Sequence, residues 1–500
     1  MPRTETDPNG QESKAHILDY AQLPPSFFVR LAPTRFPEPT IYVLNDCFAN
    51  ILGLDPDWLC TSEGLRLLSG AATLDDTPPI AMAYAGHQFG HYAPLLGDGR
   101  AMLVGEGVDR SGRRYDLHLK GSGTTPFSRG ADGRLTLGAA IREYVMSEAM
   151  AALNVPTTRS LAILTTGETI LRDKAVPGAV LARTARSHVR IGTFQYAATS
   201  GELDPLKALA DFSIDRLYPE IESDGVQRYQ DFLSAVAKAQ GRLIAKWMSL
   251  GFIHGVMNTD NASIAGETID YGPCAFMDVF HPAKVFSSID RRGRYAWNRQ
   301  AEIGQWNMGQ LAQSLLPLLG DSEEAQIEAA QAALSRYVST FQLAFHSQMA
   351  NKLGVDPQHK DLSSFIAETF AAMAKGGIDF TSFFTALTRS VANRSDAIIL
   401  EVFQSPSMAE TWLEMWHQMR SNDPRDDQYR VEAMRRTNPV RIPRNHQVER
   451  AVQDGENGKP QTMIALLAAV KNSYAEDPAF AAYEQPPKPH EIITQTFCGT

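Results

Sequence analysis

Asn261 and Asp270 stand nine residues apart, in Thr259-Asp-Asn261 and Thr268-Ile-Asp270-Tyr-Gly272. One offers an amide oxygen and the other a carboxylate. That pair of hard oxygen donors suits Mg²⁺, which keeps several waters and takes further ligands from substrate phosphates. A second carboxylate, Asp260, directly precedes Asn261. The chemistry these residue types permit is that of a nucleotide held beside a divalent cation.

The spacing around them is informative. Protein kinases place His-Arg-Asp, further residues and Asn on a catalytic loop, with Asp-Phe-Gly beyond it. Here His254 and Asn261 keep the kinase His-to-Asn interval, and Asp270-Tyr-Gly272 follows. The position of the kinase base holds Val256. An aliphatic side chain cannot take a proton from a substrate hydroxyl. The stretch reads as a kinase-type nucleotide site without the usual phosphotransfer base.

Other elements must position this loop. Gly97-Asp-Gly99-Arg100 lies between apolar runs. It is first of all a hairpin signal and, functionally, a glycine loop covering phosphates. Tyr115–Lys120 alternates like a strand and ends in lysine, a polar loop with Asp132 and Gly133 follows, and an amphipathic helix from about Leu137 carries Glu143. Glycine loop, strand lysine and helix glutamate is the order in which kinases build the ion pair that holds nucleotide phosphates. Residues 157–197 read as strand-rich and concentrate Arg183, Arg186 and Arg190, whose planar forks suit phosphate. A long helix over Gln227–Leu250 is expected to pack behind the loop at 254–261. Beyond it, 305–319, 322–350, 361–373, 380–399 and 406–419 read as helices. His87 and His91 are four apart, but interleaved glycines argue against a helical metal pair and for a hydrogen-bonded turn. An extended basic stretch near 437–447 has no evident purpose, and Gln485–His490 reads as a stiff linker.

Composition bounds the class. Of 500 residues, 43% are hydrophobic, enough for a large core, and the net charge is −10. That balance argues against a nucleic-acid or membrane-surface role resting on bulk charge. Four cysteines without a CxxC pair make a zinc site or disulfide framework improbable. No apolar run approaches the roughly 20 residues of a membrane span, and the polar, acidic N-terminus is neither a secretory signal nor a transit peptide. A cytoplasmic monomer is expected. The expected division is a disordered leader over 1–25, an N-terminal extension over 26–84, an N-lobe over 85–200, a helical C-lobe over 201–484 and a tail over 485–500.

Taken together, Gly97-Asp-Gly-Arg100, Lys120-Gly-Ser-Gly-Thr-Thr-Pro-Phe-Ser-Arg129, Gly133-Arg134, Glu143-Tyr144, His254-Gly-Val-Met-Asn-Thr-Asp-Asn261, Asp270-Tyr-Gly-Pro273 and Cys498 resemble the selenoprotein O family. The motifs run from about residue 85 to 300, and Cys498 extends the likeness to the end. The resemblance implies an α+β, protein-kinase-like two-lobed fold of pseudokinase type. It implies transfer of AMP from ATP to protein hydroxyls, with the nucleotide inverted relative to kinases. By position it implies a Lys120–Glu143 ion pair, and Arg183 and Arg190 on the terminal phosphates. Gly97, Gly99, Arg100, Asp132 and Gly133 would line the nucleotide site, Asn261 and Asp270 would hold Mg²⁺ or Mn²⁺, and Asp260 would be the proton acceptor. Inversion would also account for Val256, since attack then falls on the α-phosphorus. Cys498 stands where some relatives carry selenocysteine. Many bacterial relatives have a partner cysteine in the activation-type segment; Phe286-Ser-Ser-Ile-Asp290 has none, which leaves Cys274 as an alternative redox partner. The partners implied are ATP and proteins bearing Ser, Thr or Tyr hydroxyls. Two rival readings are a kinase with Asp260 as a displaced base, and a nucleotide-binding scaffold without turnover.

Overall fold

A computed structural model describes residues 19–32, 35–74, 77–403, 405–421 and 423–497. Its strands are β1 (Phe28–Arg30), β2 (Thr40–Leu44), β3 (Ile80–Met82), β4 (Gly86–Gln88), β5 (His91–Ala93), β6 (Ala101–Val108), β7 (Arg114–Lys120), β8 (Leu135–Thr136), β9 (Arg159–Leu171), β10 (Ala175–Ala185), β11 (Phe252–Ile253) and β12 (Ala275–Phe276). The main sheet runs β1-β3-β6-β7-β10-β9-β2, with β8 pairing β10. Its pairings are antiparallel.

Alternation decides what each face of this sheet carries. Met102 and Val104 of β6, Leu117 and Leu119 of β7, and Val180 and Ala182 of β10 share one buried cluster with Phe48 and Leu52 of helix α1 (Asp46–Leu52). Helices α2 (Pro56–Leu59) and α3 (Ser62–Ser69) add Leu59, Leu67 and Leu68 to it. The intervening residues Leu103 and Leu181 join the main core with Ile141, Tyr144 and Val145 of α4 (Leu137–Ala152). The same period of two puts His118 and Lys120 opposite Leu117 and Leu119. Cross-strand register then sets His118 beside Arg183 and Lys120 beside Leu181. A slip of one residue would move every one of these side chains to the other face.

The rest of the chain is helical: α5 (Ile191–Thr199), α6 (Leu203–Leu217), α7 (Gly225–Ser249), α8 (Gln300–Leu315), α9 (Glu323–Leu353) and seven more down to Gln461–Lys471 among the described residues. The architecture is α+β. Helix α7 lies along α9 and ends at Ser249; just beyond it Gly251 turns the chain, with φ +71° and a Cβ position 2.9 Å from the Phe380 ring. The chain then turns into β11, which pairs with β12, so the loop between them is pinned at both ends. That loop carries Asp260, Asn261 and Asp270. No helix among the described residues is long and apolar enough to cross a membrane.

Several expectations change. Residues 1–18 lie outside the described residues, but the leader does not extend to 25: Asp19–Gln22 form a 3-10 turn, Tyr20 is buried, and its N–H donates to Glu106. The sheet crosses the boundary expected at 84/85, because β1, β2 and β3 belong to it. Residues 191–199 are helix rather than strand; the run Ile191-Gly-Thr-Phe looks extended locally, but Ile191 and Phe194 are buried in the core, with Phe194 against Phe232 of α7. The expected helix over 380–399 breaks at Arg394, which adopts φ +51°. The glycine loop at 97–100 is not a tight hairpin, since β6 pairs back to β3 and the β4–β5 hairpin intervenes.

The basic stretch near 437–447 has a structural purpose. Arg444 is buried and donates to Asp278 (2.6 Å) and to both oxygens of Asp379 (2.9 and 3.1 Å). It thereby ties the segment after β12 to the helical half. Replacing it leaves two poorly exposed carboxylates without their cation, a situation that typically costs about 3–5 kcal/mol. Arg444→Met is expected to lower stability by that amount in urea unfolding; a midpoint equal to that of the unmodified protein would show the pair contributes nothing.

Candidate functional site

Asp270 is the meeting point of four elements. Lys120, the last residue of β7, donates to Asp270 Oδ1 at 2.9 Å and to Glu143 Oε2 at 2.6 Å. Glu143 sits in the second turn of α4, whose first turn is capped by Thr136 Oγ1 accepting from the Ala139 N–H. Arg183 of β10 donates through Nη1 to Asp270 Oδ1 (2.6 Å) and Glu143 Oε1 (2.8 Å). Arg190, immediately before α5, donates to Asp270 Oδ2 (3.2 Å) and to the Asp260 carbonyl (2.9 Å). The expected Lys120–Glu143 pair is present; Arg183 shares Glu143 and Asp270 with Lys120, and Arg190 shares Asp270.

Burial opposes the charge on Asp270, but Arg183, Lys120 and Arg190 outweigh it and hold its pKa well below the ordinary carboxylate value. For Arg183, burial likewise works against the cation, and Asp270 and Glu143 more than reverse it. Asp270 also sits at φ +62°, a left-handed conformation that is unusual for a residue with a Cβ. Such conformations persist where the surroundings over-determine them, and they cluster at functional sites.

These groups face a cavity of about 740 Å³. Lys120, Glu143, Arg183, Arg190, Asn261 and Asp270 line it, and so do Gly97, Gly99, Arg100, Asp132 and Gly133 from the two loops above. The loops stack closely: a Cβ on Gly97 would stand 2.3 Å from the Phe127 ring, and one on Gly133 2.2 Å from the Gly123 backbone. Asp132 is exposed and bonded to Arg172 (2.8 and 3.0 Å). Asn261 donates through Nδ2 to the Val256 carbonyl at 3.0 Å, and Val256 also lines the cavity. His254 is fully buried and structural, bonded to the Ile269 carbonyl and stacked on Trp247.

Asp260 lies beside the cavity, its carbonyl accepting from Arg190. It does not line the cavity. It is buried, its Oδ2 accepts from Gln88 Nε2 (3.2 Å), and its Oδ1 has no partner among the described residues. Burial raises its pKa to about 6, against the lowering effects of Gln88 and Arg190. Cys498 lies outside the described residues. The tail before it reaches the site: Thr496 pairs with Ser287, its hydroxyl donates to the Pro273 carbonyl, and Phe497 lines the cavity. Cys274 is buried.

Three contributors escaped the sequence. Asp98 accepts from the Met82 N–H and from His118, and His118 Nδ1 accepts from Arg183 Nε, so the glycine loop is wired to Arg183. Arg142 donates to the carbonyls of Gly272 and Cys274 and fixes the stretch after Asp270 against α4. Arg142 stands beside Glu143, and Asp98 lies inside the Gly-Asp-Gly turn; their positions next to recognised residues were the available signal.

The profile of a family described as protein adenylyltransferase SelO matches residues 12–471. A protein nucleotidyltransferase YdiU of Nitrobacter hamburgensis is 48% identical over 482 residues, covering 96% of this chain and 95% of that protein. A namesake from Rhodopseudomonas palustris is 49% identical over 485 residues, covering 96% and 98%. A third, from Rhizobium rhizogenes, is 47% identical over 485 residues, covering 96% of each.

The shared carboxylate has a direct consequence. Asp270→Asn leaves Lys120 and Arg183 with Glu143 and removes the only carboxylate that Arg190 bonds, and loss of one partner from a buried ionic cluster costs about 3–5 kcal/mol. The variant is expected to melt lower than the unmodified protein, and metal-free pyrophosphate is expected to raise its Tm more than that of the unmodified protein. Equal melting temperatures without ligand would contradict the cluster's role.

Proposed function

The chain belongs to the SelO family of protein adenylyltransferases and is a protein nucleotidyltransferase, and we propose that it moves AMP from ATP to Ser, Thr or Tyr hydroxyls in the cavity floored by Asp270. The observation that carries this placement is the convergence of Lys120, Arg183 and Arg190 on one carboxylate. The cavity lining as a whole carries eight Lys and Arg side chains against six Asp and Glu, an excess of two positive charges. The terminal phosphates are the densest negative charge of ATP, and guanidinium forks are the best match for them.

In this reading the β- and γ-phosphates lie on Arg183 and Arg190 and leave as pyrophosphate. Lys120, oriented by Glu143, completes the grip. Arg100 and the loops holding Gly97, Gly99, Asp132 and Gly133 form the rest of the nucleotide site. A strand-end lysine, a helix glutamate and a loop aspartate in contact also support a kinase-like arrangement, with a β-rich lobe to about residue 200 and a helical one beyond. The inverted nucleotide is supported by Val256: no group there can serve γ-phosphoryl transfer.

A divalent cation, Mg²⁺ or Mn²⁺, fits the donor set. The Asn261 amide nitrogen is committed to the Val256 carbonyl, which leaves its oxygen as the ligand, and Asp270 supplies the carboxylate. Among the described residues no group of three His, Cys, Asp or Glu side chains could hold a metal ion, so substrate phosphates and water would complete the shell. When bound, the cation supplies charge neutralisation at the phosphates. The chain's own residues do the remainder. The acceptor hydroxyl oxygen bonds to the α-phosphorus, the bond from that phosphorus to the bridging oxygen breaks, and Asp260 takes the hydroxyl proton.

Arg183→Ala and Arg190→Ala test the placement. Loss of a charged hydrogen-bond partner typically costs about 1.5–3 kcal/mol. Each variant is expected to bind ATP roughly 10- to 100-fold more weakly while AMP binding changes little, measured by titration calorimetry. Equal losses for the two nucleotides would remove the arginines from the terminal phosphates.

A further inference from the structure

The stretch Gly86-His-Gln-Phe-Gly-His-Tyr92 is a hairpin, β4 and β5, docked on the loop that carries Asp260. Its contacts run residue by residue. The Phe89 N–H donates to Asn258 Oδ1 (3.0 Å), the His87 N–H to Thr259 Oγ1 (2.7 Å), and the Gln88 side-chain amide to Asp260 Oδ2 (3.2 Å). The same loop residues are held from other elements. Thr259 donates to Gln195 Oε1 (2.6 Å), Gln195 Nε2 bonds His87 Nδ1 (2.8 Å), and Tyr295 donates to Asn258 Oδ1 (2.6 Å).

The hairpin also shapes the surroundings of the carboxylate. A Cβ on Gly86 would stand 2.6 Å from Asp260 Oδ1 and 3.0 Å from Asp260 Cβ, so only glycine allows this approach. The two oxygens of Asp260 are therefore unequal. Oδ2 is held by a neutral amide, and Oδ1 is buried without a partner among the described residues. A buried, unpartnered acceptor is costly and calls for a reason. Asp270 shows the contrast, since three cations occupy its oxygens. An amide fixes a carboxylate's orientation without neutralising it, so the group keeps its capacity to take a proton.

We propose that Gln88 is a positioning residue for AMP transfer: its amide holds Asp260 Oδ2 and so sets the orientation of the carboxylate that receives the acceptor hydroxyl's proton. This rests on the reading of Asp260 as the proton acceptor. No residue from 85 to 96 lines the cavity, so Gln88 does not touch a nucleotide bound there. A loss confined to turnover is the mark of the role, since positioning errors act on the rate rather than on ground-state binding.

The test uses the full-length chain with Mg²⁺, ATP labelled at the α-phosphate and the protein of a heat-treated lysate as hydroxyl acceptor. Gln88→Met keeps the length and apolar stem but removes the donor, and Gln88→Ala is the second variant. Both are expected to lower kcat about 10- to 100-fold, with ATP Kd within about twofold and Tm within about 2 °C of the unmodified protein. Asp260→Asn is expected to be inactive, and adding Gln88→Met to it is expected to change nothing further, since the two act as one unit. Turnover within twofold in both Gln88 variants, beside an inactive Asp260→Asn, overturns the positioning role alone. Parallel losses of ATP affinity or Tm also overturn it, because they mark a structural contact. Retained turnover in Asp260→Asn overturns the base assignment on which the proposal stands.

Discussion

One carboxylate shared by three buried cations governs the arrangement of this protein. Unit charges about 4 Å apart attract by roughly 4 kcal/mol at an effective dielectric of 20, yet each ion costs several kcal/mol to desolvate. Such a cluster is tolerable only when every cation in it meets more than one accepting partner. Lys120 and Arg183 each reach both Glu143 and Asp270, and Arg190 adds the Asp260 carbonyl to its Asp270 contact. The requirement fixes where β7 must end, which face of α4 looks inward, which strand register β10 adopts and where α5 begins. It also leaves an excess of positive charge in a cavity, which is the property a polyphosphate ligand exploits.

The remainder of the fold holds that cluster still. Apolar residues alternate with charged ones on β7 and β10, so the charged face toward the site is backed by a dry face packed on α1–α3. Below it, α7 and the β11–β12 ladder clamp the ends of the loop bearing Asp260, Asn261 and Asp270. Arg142, the hairpin at 86–93 and Tyr295 grip its interior. A loop that must present two carboxylates in opposite electrical states, one saturated with cations and one nearly bare, needs contacts from several elements at once.

What could be read from the chain follows from range. Lys120 at a strand end, Glu143 one turn into a capped helix and the Asn261–Asp270 interval are local patterns, and the structure brings all four residues to one cavity. The amphipathic helix over 227–250 was legible for the same reason, and the helix read over 322–350 forms as Glu323–Leu353. What escaped depends on partners far along the chain. Ile191-Gly-Thr-Phe looks like a strand until α7 is there to receive it as a helix. Arg441 and Arg444 look like surface charge until Glu484, Asp278 and Asp379 arrive from other elements. His87, Gln88 and Phe89 meet residues 258–260 across more than 160 positions of sequence, and no local pattern encodes that contact. Asp260's withdrawal from the cavity wall belongs to the same class.

The central claim is that the terminal phosphates sit on Arg183, Arg190 and Lys120, so that chemistry occurs at the α-phosphorus. Parallel reactions with ATP labelled at the α- or the γ-phosphate, followed by counting label on acceptor protein, test it most directly. The account predicts label from the α position and none from the γ position. Label from the γ position alone would contradict it and place the nucleotide as a kinase does.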